Sequence, residues 1–151
     1  MNQEEFLAKS VEETAQIAKD FVKSLESSRD KAAVVGLYGE LGAGKTTFMK
    51  YLAEAFGITE TIQSPTFVIE KIYELKDKPF THLIHIDAYR IEKESEMVHL
   101  GWDEIIKDSN NLICVEWPER IAGIMGEHFK IFFNHSNENI NEHERKITIK
   151  K

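Results

Sequence analysis

The chain has 151 residues, 42% hydrophobic and 30% charged, with a formal net charge of −7. That length can bury a core without disulfide or metal staples, and the composition is that of a globular chain, not a disordered one. The acidic balance argues against an autonomous grip on nucleic acid, which needs a basic face, and the single cysteine, Cys114, excludes an internal disulfide or a multi-cysteine zinc site.

No apolar run approaches the roughly 18 residues of a membrane span. The start, Met1 to Glu5, lacks the basic-then-apolar pattern of a secretory signal. One domain over residues 1–151, in the cytoplasm and with no membrane partner, is the expectation. Ser10 to Leu25 reads as an amphipathic helix. Val11, Ala15, Ala18, Val22 and Leu25 follow the helical period, Ile17 and Phe21 widen the stripe, and Ser10 with Glu13 has capping-box spacing. Ala32 to Tyr38 is nearly all apolar, as a strand covered on both faces is. A Gly-rich turn leads into a second helix, Lys45 to Phe56, with Gly57 placed to end it in a left-handed cap. Thr66 to Leu75 and Phe80 to Asp87 flank a turn and predict a hairpin. Glu92 to Lys107 reads as helix broken at Gly101, and Asn111 to Glu116 as a short buried strand that holds Cys114 as an inert thiol. Glu119 to Met125 is a short helix or turn. Phe129 to Phe133 and Lys146 to Lys150 form a last strand pair, joined by the polar stretch from Asn134 to Glu144. The basic end, Lys146 to Lys151, reads as a solvated edge strand or as a contact for an anionic ligand. The order predicts a three-layer α/β fold whose mixed sheet has a parallel core and antiparallel additions.

Gly39-Glu40-Leu41-Gly42-Ala43-Gly44-Lys45-Thr46 matches G-x-x-x-x-G-K-[ST] in full. At ordinary glycine usage a chance match in a chain this short has odds below about one in a hundred. The context, a buried strand leading in and a helix leading out, is that of a phosphate loop and of a P-loop NTPase fold. Glycines let backbone amides converge on one point, and the helix start adds partial positive charge. Lys45 would reach the β- and γ-phosphates, and the Thr46 hydroxyl would complete the coordination of Mg²⁺.

Hydrolysis also needs an acid to orient the metal and a positioned water. Two apolar strands end in carboxylates, Leu83 to Asp87 and Leu112 to Glu116. If both run parallel to the loop strand, the acids and the loop meet at one sheet edge. Spacing leaves open which acid orients the metal and which polarises water; the plainer alternative is that Asp87 and Glu116 cap their strands or pair with Arg90 or Arg120. His85, Asp87 and Tyr89 share a face if the strand persists. His82 and His85 fall on opposite faces, so no shared metal is expected between them. Ser64-Pro65-Thr66 is either a plain turn or a switch that senses the γ-phosphate. Trp117 packs in the core or against a ligand or partner.

The blocks Gly39 to Thr47, Ser64-Pro65-Thr66, His85-Ile86-Asp87-Ala88-Tyr89-Arg90 and Glu116-Trp117-Pro118 together resemble the TsaE (formerly YjeE) family. That resemblance implies an ATPase of tRNA threonylcarbamoyladenosine biosynthesis that works with TsaD and TsaB and meets tRNA through them. Hydrolysis then resets the complex between turnovers. It implies Lys45 and Thr46 as phosphate and Mg²⁺ ligands, with Thr47 also in the loop. Glu116 becomes a metal-site acid, Asp87 a catalytic or metal-linked acid, Ser64 to Thr66 a switch, and Thr14 and Arg145 nucleotide contacts outside the loop. A small-molecule kinase is the first rival, but no Arg-rich lid segment is visible. A GTP switch lacks an N-K-x-D element, and a nucleotide-gated binding module differs only in whether hydrolysis matters.

Overall fold

Each strand expected between Ala32 and Lys150 has a counterpart among the described residues, with Thr66 to Ile69 of the first hairpin strand lying outside them, and an unexpected strand precedes them all. The computed structural model describes residues 3–26, 30–40, 44–59, 70–76, 79–135 and 145–151. β1 is Gln3–Ala8, and α1 follows at Val11–Ser24. The Ser10 hydroxyl caps α1 by accepting from the Glu13 amide at 3.2 Å. The reciprocal bond runs one residue upstream of a standard capping box: the Glu13 carboxylate accepts from the Lys9 amide at 3.0 Å. β2 is Ala33–Tyr38 and α2 is Lys45–Ala55. Gly57 ends α2 at φ +84°, with its amide bonded to Glu54 O and the Ile58 amide to Ala53 O, a Schellman closure that only glycine enters without strain.

β3 (Glu70–Glu74) and β4 (His82–Asp87) make the expected antiparallel hairpin, with Tyr73 opposite Leu83. The next helical stretch breaks at Gly101 into α3 (Glu94–His99) and α4 (Trp102–Lys107). β5 is Asn111–Glu116. A 3₁₀ turn at Pro118–Ile121 runs into α5 (Ala122–Met125), and β6 (Phe129–His135) and β7 (Arg145–Lys150) complete the chain.

The seven strands lie in the order β1-β7-β6-β2-β5-β4-β3. β6, β2, β5 and β4 are mutually parallel, while β7 and β3 run antiparallel to their neighbours in this core. One face packs on α1 and α2, where Val35, Leu37, Leu83, Cys114 and Ile131 join Phe48, Met49 and Leu52. The other face places Val34, Ile84, Ile113 and Val115 against Met97, Trp102, Ile121 and Met125. Burial on both faces is why β2, β4 and β5 read as continuous apolar runs. Each fully buried large side chain contributes roughly 1.5–3 kcal/mol, so Phe48, Met49 and Leu52 hold α2 firmly against the sheet. Phe48 also meets Phe133 edge-on at 5.4 Å, which sets where the first turn of α2 stands.

The basic end is not an edge strand. β1 pairs with β7 along its whole length, from Gln3 opposite Lys150 to Ala8 opposite Arg145, and so forms the edge itself. Lys146 then finds a carboxylate, Glu5, at 3.9 Å. Only Phe6 and Ala8 of β1 face inward, which is too short an alternation to announce a strand. Cys114 is fully buried, and burial, with the nearby Glu116 charge, raises its thiol pKa, so it stays protonated and inert.

Candidate functional site

The parallel core sets the site. β5 lies between β2 and β4, so Glu116 stands level with Leu37 on one side and with Asp87 on the other. Leu83 and Cys114 face the α1/α2 core, and strand alternation therefore turns His85, Asp87 and Glu116 toward that same layer. These side chains share the carboxyl-end rim with the start of α2. Gly44 caps α2 at φ +106°, a conformation an L side chain resists, and as a glycine it brings no side-chain cap to the first amides of the helix. Leu41, Gly42 and Ala43 lie outside the described residues, whereas Gly39 and Glu40 directly follow β2.

Lys45 is the first residue of α2 and only 4% exposed. Its ammonium makes no hydrogen bond to any described residue and lies 3.9 Å from the centre of the Trp117 ring. Burial lowers the Lys45 pKa below its ordinary value, and the charges of Glu116, Glu119 and Asp87 offset part of that shift. A desolvated cation at a helix start, where backbone amides add partial positive charge, is an arrangement suited to holding an anion.

Trp117 reaches Lys45 through an unusual backbone. Its φ of +58° and ψ of +49° are left-handed, the one such non-glycine among the described residues, and for a bulky side chain that costs on the order of 1–3 kcal/mol. The ring is half-buried: it packs against the core of Val115 and Ile121, as one of the expectations had it, and it also meets the Lys45 ammonium and the Tyr89 ring, whose centre is 5.1 Å away. Arg120 sits 5.5 Å over the other aromatic, Tyr89, which is 47% exposed.

Asp87 ends β4, and its Oδ1 accepts from the Tyr89 amide at 2.9 Å. That turn ends the strand, so Tyr89 does not continue the face shared by His85 and Asp87; Arg90 follows it at the exposed surface. Glu116 is 3% exposed, and its Oε2 lies 2.7 Å from Nε2 of the wholly buried His85. Sequence spacing alone does not link these two, because the contact depends on the pairing of β4 with β5 in one register, His85 opposite Cys114. Glu119 was not among the expected residues either. It acts on both Lys45 and the Tyr38 hydroxyl, whose pKa burial raises first and Glu119 second. His82 contacts Thr81, away from His85.

Thr46 is exposed on the first turn of α2, with Thr47 beside it half-buried. Arg145 opens β7 beside Gly44, its Cγ 3.6 Å from where a Cβ on that glycine would stand. Thr14 is buried and gives its hydroxyl to Ser10 O at 3.4 Å within its own helix. Ser64, Pro65 and Thr66 lie outside the described residues. Among the described residues no three His, Cys, Asp or Glu side chains gather to hold a metal by themselves. A cation here would instead be shared between one or two carboxylates, the Thr46 hydroxyl and phosphate oxygens, which suits Mg²⁺.

The family model for the threonylcarbamoyl adenosine biosynthesis protein TsaE matches residues 8–147. The chain belongs to the TsaE family. Curated TsaE relatives agree: that of Rickettsia typhi is 37% identical over 117 residues, covering 77% of this chain and 75% of its own. The TsaE protein of Treponema pallidum is 34% identical over 123 residues, 81% of this chain and 84% of its own. The Bacillus subtilis TsaE protein is 48% identical over 88 residues, so the match covers 58% of this chain but only about half, 52%, of that relative. The crystal structure of Bacillus subtilis YdiB superposes with a TM-score of 0.74 at 32% identity, covering 98% of this chain and 84% of that one. The TsaE family places the chain in tRNA threonylcarbamoyladenosine biosynthesis. Among the described residues, no helix is long and apolar enough to cross a membrane.

Proposed function

We propose that this TsaE chain is a Mg²⁺-dependent ATPase that works in a complex with TsaD and TsaB and reaches tRNA through them. One observation carries the reading: the buried Lys45 ammonium, without a hydrogen bond among the described residues, stands at the first residue of α2. The residues present fit Mg·ATP. The first-turn amides of α2 and Lys45 hold phosphate oxygens, and Arg145 beside Gly44 adds positive charge to the rim. Thr46 and Glu116 hold the Mg²⁺, with Asp87 on the same rim to order the attacking water or to share the metal. Bound Mg²⁺ supplies charge neutralisation between the phosphates. Trp117 shields Lys45 from solvent until phosphate takes the ammonium over.

Hydrolysis is slow in the isolated chain and productive in the complex, where it resets the assembly after each modification. The test is reconstitution with TsaD and TsaB, following ATP hydrolysis and tRNA modification beyond one turnover. Multiple turnover that requires this chain supports the reading. Equal turnover without it, or rapid hydrolysis by the chain alone, contradicts it.

A further inference from the structure

We propose that His85 is a positioning residue for Glu116: its Nε2–H donates to Glu116 Oε2 and fixes the carboxylate on the nucleotide rim. The hydrogen bond itself is independent of the function proposed above, and only its effect on hydrolysis rests on that reading.

The geometry is specific. Nε2 and Oε2 are 2.7 Å apart, and the two side chains are 0% and 4% exposed. At that distance an ionised carboxylate needs a proton on the facing nitrogen, since two bare lone pairs would repel. The other ring nitrogen, Nδ1, is buried and makes no hydrogen bond to any described residue. Among the described residues the imidazole therefore has a single polar tie, to Glu116, in a strand that also carries Leu83, Ile84 and Ile86. An aliphatic residue there would pack without leaving a polar atom unsatisfied. The strand register supplies the reach: His85 sits opposite Cys114, two residues before the level of Glu116, and both side chains point to the α2 face. With Oε2 held by His85, Oε1 is the oxygen left for metal or water. An ionised, oriented carboxylate is the form in which an acid coordinates a cation.

The first test uses the nucleotide-free native chain. Nitrogen-15 NMR of the imidazoles reads which ring nitrogen of His85 bears hydrogen. A protonated Nε2 whose resonance moves in Glu116→Ala is expected, and a bare Nε2 overturns the proposal. The second compares His85→Gln, whose amide can donate at similar reach, with His85→Leu. In the Leu variant kcat falls about 10–100-fold while ATP binding without metal stays native, and the Gln variant recovers most of the rate. A native rate in folded His85→Leu, or a folded Gln variant no better than Leu, overturns the positioning role. Should the native chain hydrolyse no ATP at all, the function proposed above fails, and the NMR result still decides the hydrogen bond.

Discussion

Replacing Lys45 with Met removes a charge and keeps an unbranched stem of similar length, and it sets stability against binding. In the nucleotide-free protein the ammonium is buried without a hydrogen bond among the described residues, a situation that costs about 1–3 kcal/mol. The Trp117 ring returns about 0.5–2 kcal/mol of this. The three nearby acids return more, yet the Lys45 pKa is still lowered, so the balance stays on the side of cost. Lys45→Met is therefore expected to stabilise the free protein by about 1 kcal/mol, or about 2–4 °C in Tm for a chain of this size. The native chain, at Mg·ATP one hundred times its Kd, gains about 2.7 kcal/mol, a rise of roughly 5–11 °C. The variant should show almost none of that rise. Thermal unfolding with and without Mg·ATP measures both quantities. A variant clearly less stable than the native chain, or one that keeps the nucleotide-induced rise, would refute the view of Lys45 as a strained anion receptor.

Three further outcomes follow from the same geometry. Glu116→Gln and Asp87→Asn should each lower ATP turnover at least about tenfold in the assembled complex while leaving nucleotide binding largely intact; native turnover in both rejects the site assignment. Leu52→Ala, in the fully buried stripe of α2, should cost about 2–5 kcal/mol in urea unfolding, and a loss well under 1 kcal/mol would mean α2 is not held as described. His128 contacts the Tyr38 hydroxyl and Gly126 O at 2.7 Å each, and burial lowers its pKa despite the Gly126 bond. Because the unfolded chain then binds the proton more readily, its contribution to stability is intact above the ordinary histidine range and is lost as pH falls through the lowered folded value. His128→Gln should flatten that part of the Tm–pH curve, and an unchanged acid-side slope speaks against it.

The strand and helix that flank the loop were legible because the signal is local: a buried apolar run, three glycines and a lysine at a helix start are adjacent in sequence. β5 was legible for a similar reason, with its apolar run ending in Glu116 and its bounds, Asn111–Glu116, matching the structure. What stayed hidden depends on pairing across the sheet. The tie between His85 and Glu116 needs β5 inserted beside β4, an order that chain sequence does not announce. Lys146 to Lys151 looked like an edge because β1, with only Phe6 and Ala8 inward, gave no sign of covering it. Trp117 was ambiguous because its position over Lys45 follows from a left-handed backbone, which a bulky residue ordinarily avoids.

The most direct measurement of the central claim is a calorimetric titration of the chain with ATP, run with Mg²⁺ and again with the metal chelated, alongside Lys45→Ala. The account predicts saturable one-to-one binding that Mg²⁺ strengthens and that the variant loses. A flat trace with Mg·ATP for the native chain, alone and with TsaD and TsaB present, would contradict it.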